Sequence, residues 1–265
     1  MNDFKFKKQY GQNFISDTNL LKAIVKDAEV TCEDSVLEIG VGFGTLTKYL
    51  CESAKKVVCF EIDESLNDKI QENLKDKKNF EINYKDILQV SNEEISNKLA
   101  NNFKVVANLP YYITTPIIFK FLESDLKIDS LTIMVQKEVG ERICSKPNTK
   151  DYGILSVMVQ SCADVKITRI VNRNMFYPVP NVDSCVVNIK LNRSKFKFLN
   201  SVEFKSFIQN CFSMRRKTLV NNLKSKYNSE TLLNALEKLN LSSNIRSENL
   251  TIENFVDLFN LLTNN

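Results

Sequence analysis

The sequence predicts an α/β protein: a mostly parallel sheet covered by helices on both faces, followed by a small all-helical C-terminal part. Three observations predict it. Strand-length apolar runs alternate with helical stretches from residue 35 to residue 136. Those strands are rich in apolar and β-branched residues, as parallel strands packed between helices must be. No strand pattern follows Leu191.

In order, Lys5, Lys7 and Lys8 precede "YGQNF", and an amphipathic pattern predicts a helix over about 17–28. "SVLEIG" (35–40) and "KVVCFEI" (56–62) read as strands separated by a helical "TLTKYLCES". A helix over about 64–75 leads to the strand "NFEINYKD", and "FKVVANL" (103–109) follows as the next strand. A helix after Pro116 precedes the strand "SLTIMVQ", and a helix pair is expected between 137 and 163. Two further strands, "DVKITRIV" and "DSCVVNIKL", are joined by "NRNMFYPVPNV". The remainder reads as short helices, so two domains are expected, residues 1–191 and 192–265.

With 265 residues, 43% of them apolar, the chain can bury a substantial core. No apolar run approaches the roughly 20 residues that cross a bilayer, and no signal core is visible, so a cytoplasmic protein is expected. Its seven cysteines are scattered, with no C-x-x-C pair to suggest a disulfide framework or zinc site. Histidine is absent, which removes Ser-His-Asp triads, imidazole bases and His-containing zinc sites; no metal is expected. Net charge is +4, but residues 190–226 hold ten Lys or Arg against one acid, Glu203, a local +9 that leaves −5 for the rest. Such concentration fits a polyanion, nucleic acid above all, although a solvated basic face has the same composition.

The first strand runs into "LEIGVGFGTLT", where Glu38, Gly40, Gly42 and Gly44 are spaced two apart just before a helix. Glycines there let the backbone approach a bound molecule. The spacing departs from the dinucleotide pattern G-x-G-x-x-G and instead resembles the first motif of S-adenosylmethionine-dependent methyltransferases, a Rossmann-like sheet. Glu61 ends the second strand, where its carboxylate can accept from both ribose hydroxyls; Asp86 ends the third, where it can accept from the adenine amine. All these strand ends lie on the carboxyl edge, where open α/β sheets bind ligands.

The fourth strand ends at the same edge in "NLPYYIT". An exocyclic amine on a base is a poor nucleophile because its lone pair is delocalised into the ring. Methylating it calls for acceptors for both amine hydrogens, which the Asn108 side-chain oxygen and the Leu109 carbonyl can supply. Pro110 fixes the backbone and has no N–H to donate. Tyr111 can stack on the base, worth roughly 1–3 kcal/mol. A base in a duplex cannot enter such a pocket, so the target must be unpaired or flipped.

With these residues in place the chain resembles the ribosomal RNA adenine dimethyltransferases over nearly its whole length. "KKQYGQNFISD", "MVQKEVGERI", "YGILSVMVQ", "FYPVPNVDSCVV" and "CFSMRRKTLVNNL" match family signatures in order. The resemblance implies dimethylation of two neighbouring adenosines in a hairpin near the 3′ end of small-subunit RNA during subunit assembly, with S-adenosylmethionine as cofactor. It implies that Asn13 and the backbone at Ile15 contact the cofactor along with Gly40, Gly42, Glu61, Asp86 and Asn108. It further implies that Phe176 forms a second aromatic wall for the base and that Arg215, Arg216 and Lys217 contact RNA backbone. Val41 stands where the family usually has proline, Phe43 where leucine is frequent, and Tyr112 where some relatives have asparagine. A monomer is expected. The rival readings are an erythromycin-resistance-type methylase of large-subunit RNA, a catalytically silent RNA-binding assembly or transcription factor, and a nicotinamide-dependent oxidoreductase.

Overall fold

The computed structural model describes residues 13–99, 102–192 and 201–263. Lys5, Lys7, Lys8, Arg193, Lys195 and Lys197 lie outside them. A two-residue strand, β1 (Phe14–Ile15), comes first. Asp17 then accepts from the Leu20 N–H at 2.7 Å and caps α1 (Thr18–Asp27). Strict alternation follows: β2 (Ser35–Ile39), α2 (Thr45–Ser53), β3 (Lys56–Glu61), α3 (Asn67–Leu74), β4 (Phe80–Tyr84), α4 (Asn92–Lys98), β5 (Phe103–Asn108), α5 (Thr114–Leu122) and β6 (Ile128–Gln136). Next come α6 (Lys137–Ile143), α7 (Ile154–Gln160), β7 (Ala163–Val171), β8 (Phe176–Tyr177) and β9 (Ser184–Leu191). The last helices are α8 (Ser201–Cys211), α9 (Leu219–Leu223), α10 (Ser229–Lys238) and α11 (Ile252–Thr263).

Besides the short paired strands β1 and β8, which no apolar run announced, the elements differ from the sequence pattern in three places. The helix expected from residue 64 opens as a separate 3₁₀ turn, Glu64–Leu66, because Asp63 caps it by accepting from Ser65 N–H at 3.2 Å. Pro116 lies inside the first turn of α5 rather than ahead of it, a position where its missing N–H forfeits no helical bond. Helix α4 has Ile95 as its one buried residue, so no apolar stripe marks it in the sequence.

Seven strands form one sheet in the order β4-β3-β2-β5-β6-β9-β7. The pairs β3–β4, β2–β3, β2–β5 and β5–β6 are parallel, while β9 returns antiparallel to β6. The chain therefore moves outward from β2 through β3 to β4 and jumps back to β5 on the other side of β2. With right-handed crossovers, this reversal puts the connecting helices on opposite faces and opens a crevice between the carboxyl ends of β2 and β5. Val36, Val57, Val106 and Met134 bury one face of the sheet with Leu20 and Ile24 of α1, Leu46 and Leu50 of α2, and Ile70 and Leu74 of α3. Leu37, Val58, Val105 and Ile133, the alternate residues, are fully buried on the other side.

The described chain divides into two compact units, residues 1–140 with 166–191 and residues 141–165 with 192–265. The sequence placed 141–165 with the sheet; the structure places it with the C-terminal helices. The reason is packing. The apolar residues Leu155, Val157 and Val159 of α7 are buried, α7 packs on α8, and the Tyr152 hydroxyl donates to the Leu250 carbonyl at 2.9 Å. Aromatic rings fill the second unit's core: Phe204 and Phe207 each lie 5.4 Å from Phe259, and Phe212 lies 5.6 Å from Phe255. No helix among the described residues is long and apolar enough to cross a membrane.

Candidate active site

Strand periodicity assembles the site. Val36 and Glu38 on β2, Cys59 and Glu61 on β3, and Val106 and Asn108 on β5 alternate onto one pleat face, so the chain's polar strand ends share the face that α1, α2 and α3 cover. At the carboxyl edge of that face lies a cleft of about 1110 Å³, part of it open solvent. It is lined by Asn13 and Ile15, by Gly40 and Gly42, by Glu61, by Asp86, and by Asn108, Leu109, Pro110 and Tyr111. Ten residues singled out in the sequence thus meet in one cleft.

The glycine loop is held from two sides. Gly40 has φ of +75° and its N–H donates to the Phe60 carbonyl at 2.9 Å, which turns the chain sharply out of β2. Gly42 has φ of +57°, and a Cβ there would lie 3.1 Å from the Phe14 ring. That ring stacks on Phe43 at 4.1 Å between centroids and 12° between planes, with Lys69 Nζ 5.1 Å from the Phe43 centroid. Phe14 and Phe43 line the cleft, as do Thr45, Ile62, Lys85 and Ile87, and none of them was assigned a site role from sequence. A phenylalanine between two glycines was the available signal; the partner that makes it a wall is 29 residues away, in β1.

Glu61 is engaged with the backbone. Its Oε2 accepts from Gly42 N–H at 3.0 Å and its Oε1 from Ile62 and Asp63 N–H at 2.9 Å each. Burial pushes its carboxyl above the ordinary range, and those three N–H bonds pull the other way. A carboxylate offers about four acceptor positions, so loop-holding and any ribose contact share this one group. Asp86 accepts from Leu88 N–H at 2.9 Å through Oδ1. Asn108 Nδ2 donates to the Asn13 carbonyl at 3.0 Å, which assigns the amide nitrogen to the protein and leaves Oδ1 as the end for a ligand. The Ile15 carbonyl accepts from the Thr45 hydroxyl at 3.1 Å, tying β1 to the start of α2.

Glu38 lies fully buried behind the loop. Burial raises its carboxyl to about 8, against the nearby Thr47 hydroxyl and the Cys59 thiol, while the Glu61 charge adds to the rise. Among the described residues no hydrogen-bond partner reaches Glu38 Oε1 or Thr47 Oγ1, so Thr47 lies close without completing a bond.

Comparison with known proteins decides what this cleft belongs to. Residues 3–264 match the family described as ribosomal RNA adenine dimethylase. The chain belongs to that family. Ribosomal RNA small subunit methyltransferase A of Clostridium botulinum (strain Kyoto / Type A2) is 46% identical over 256 residues, covering 96% of this chain and 92% of the relative. The protein of the same name from Clostridioides difficile (strain 630) is 41% identical over 265 residues, covering 98% and 92%. Among solved structures, a dimethyladenosine transferase from Plasmodium falciparum superposes with a TM-score of 0.82 at 28% identity, covering 92% of this chain and 95% of that one. The 23S rRNA methyltransferase ErmE gives 0.73 at 26%, covering 94% and 99%.

In this ribosomal RNA adenine dimethylase, one expected contact is placed differently. Phe176 was expected as a second wall for the base, but its ring is 3% exposed, packs in the core with Phe14 and Ile15, and does not line the cleft. The cause is register: β8 pairs antiparallel with β1, Ile15 opposite Phe176 and Phe14 opposite Tyr177, which turns Phe176 inward and leaves Tyr177 54% exposed. Arg215 pairs at the surface within the second unit, donating to Glu248 Oε2 at 3.3 Å and to the Lys150 carbonyl. Like Arg216 and Lys217 in the same turn, it is exposed. No cluster of three or more metal-ligating side chains occurs among the described residues.

Proposed function

We propose that this dimethylase transfers methyl groups from S-adenosylmethionine to the N6 amines of two adjacent adenosines in a hairpin near the 3′ end of small-subunit ribosomal RNA during subunit assembly. The observation that carries it is the Asn108 amide, whose nitrogen is held by the Asn13 carbonyl so that its oxygen is left as an acceptor at the cleft. Asn108 Oδ1 and the Leu109 carbonyl accept the two N6 hydrogens, which frees the nitrogen lone pair from the ring. Tyr111 stacks on the base. No histidine or other strong base is needed, because the nitrogen carries a positive charge once the N–CH3 bond has formed, which makes its remaining proton acidic enough to pass to water.

The cleft fits the cofactor by the chemistry of its donors and acceptors. Asp86 would receive the adenine amine, Glu61 a ribose hydroxyl, Asn13 and the backbone at Ile15 would contact the remainder, and Gly40 and Gly42 admit it closely. When bound, S-adenosylmethionine supplies an electrophilic methyl on a sulfonium. The second unit, residues 192–265 with 141–165, would hold RNA backbone through Arg216 and Lys217, with Arg215 acting once its Glu248 pair is exchanged for phosphate. The reading places the chain in the cytoplasm, where subunits assemble, as a monomer whose cleft is lined by a single chain.

The small-subunit substrate is supported by relatives of that name at 46% and 41% identity, against 26% for ErmE. Mass spectrometry of small-subunit RNA after reaction should locate two dimethylated neighbouring adenosines. Label found only in large-subunit RNA would favour the resistance-type methylase, and cofactor binding without incorporation would favour a silent RNA-binding factor.

A further inference from the structure

Tyr111 lines the cleft half-buried, and its phenolic oxygen lies 2.8 Å from Ser184 Oγ. Ser184 is 0% exposed. A serine hydroxyl with no access to water must find its partner within the protein, and here the partner is a phenol 73 residues away in sequence. The serine itself is fixed by backbone. It opens β9, where it pairs with Gln136 of β6, and the neighbouring Asp183 carbonyl accepts from Lys137 N–H at 2.9 Å. The loop leading to it is closed on itself, since Asp183 Oδ1 accepts from Arg173 N–H at 2.9 Å and the Arg173 guanidinium donates to the Asn181 carbonyl at 3.2 Å.

We propose that Ser184 is a positioning residue for methyl transfer: its hydroxyl holds the Tyr111 phenol and so fixes the direction and place of the ring on which the target base stacks. This rests on the proposed function, in which Tyr111 is the stacking face. A tyrosine ring anchored only at Cβ can swing about its Cα–Cβ torsion, and a base stacked on it swings too. Anchoring the far end of the ring to a sheet strand removes that freedom before the base arrives. An amine whose hydrogens must meet two fixed acceptors tolerates little misorientation, and small displacements of a reacting group lower turnover steeply. The bond also links "NLPYY" physically to "FYPVPNVDS", two motifs far apart in sequence.

The test is a double-mutant cycle on the full chain, measuring kcat and KM for RNA and for S-adenosylmethionine with unmethylated small subunits as substrate. Ser184→Ala and Tyr111→Phe each remove the bond from one side. Each should lower kcat about tenfold while leaving the KM for S-adenosylmethionine unchanged, and the double variant should be no worse than either single one. Ser184→Thr, which restores a hydroxyl, should recover most of the loss. Losses that multiply in the double variant, or a Ser184→Ala enzyme with full kcat, would overturn the proposal. Tyr111→Phe leaves a fold that loses one hydroxyl only, so the cycle stays readable if Ser184→Ala proves unstable: full kcat in Tyr111→Phe also overturns it. Tyr111→Ala separates the two layers. Retained transfer there removes the stacking reading and the proposal with it, whereas lost transfer alongside multiplying losses in the cycle removes Ser184 alone.

Discussion

Asn108 donates its amide nitrogen to the Asn13 carbonyl and keeps its oxygen for a ligand, so alanine in its place removes an acceptor without removing any cofactor contact through Glu61 or Asp86. Asn108→Ala should lower kcat by about 100-fold or more, the usual scale for one preorganised polar group, with cofactor affinity changed far less. Steady-state kinetics beside calorimetric cofactor titration checks both halves. Glu38 makes a different expectation. Its carboxyl is raised by burial to about 8, above the 4.5 of a free glutamic acid, so the folded state binds its proton more tightly than the unfolded chain does. The stability this contributes is complete below about 4.5, falls as pH rises from there, and is fully lost once pH passes about 8. Thermal midpoints of the wild type should therefore fall between about pH 4.5 and 8 and level off above, and Glu38→Gln should flatten that slope; an unchanged slope would assign it to other groups. The acids and amide at the strand ends were legible because polar residues closing apolar strands stand out. Phe176 was not, since the same ring serves a core or a base pocket and the β1–β8 register alone decides which.

At the scale of elements, the contacts that a helix makes with its sheet explain a glycine that the motif alone does not. Gly140 lies in α6 over β9, and a Cβ there would fall inside van der Waals contact of Cys185 Sγ and 2.9 Å from Val187 Cγ2. Alanine is favoured over glycine in a helix by about 1 kcal/mol, but overpacking a filled interface costs about 1–3 kcal/mol, so the clash wins. Gly140→Ala should lower the thermal midpoint, and Cys185→Ala in the same chain should recover part of the loss by making room. Helix α1 is likewise locked to β7, through Arg169, whose Nε and Nη2 donate to the two Asp27 oxygens at 2.7 and 2.8 Å. Most strand and helix identities were readable from apolar runs and amphipathic period, and the 3₁₀ turn before α3, the weakly apolar α4 and the two-residue strands β1 and β8 were not, because none of them leaves a periodic stripe.

At the scale of the whole molecule, Arg215, Arg216 and Lys217 are all exposed in the turn that follows α8, and Arg215 also pairs with Glu248 and the Lys150 carbonyl. Reversing both, Arg216→Glu with Lys217→Glu, should weaken binding to small subunits and reduce the slope of log affinity against log salt by about 2, near one unit for each phosphate contact removed. Filter binding across a salt series reads this directly, and an unchanged slope would make the turn a solvated face.

Apolar period, glycine spacing and acid placement are local properties of the chain, so the alternating α/β order, the parallel strands, the cofactor-type glycine loop and the polar residues that end β2, β3 and β5 could be read along it. Long-range packing settled the rest: residues 141–165 pack with the C-terminal helices, Phe14 walls the cleft while Phe176 lies in the core, and Ser184 meets Tyr111. Each of those depends on which surfaces meet across long separations in sequence, and one-residue shifts in strand register reverse the answer.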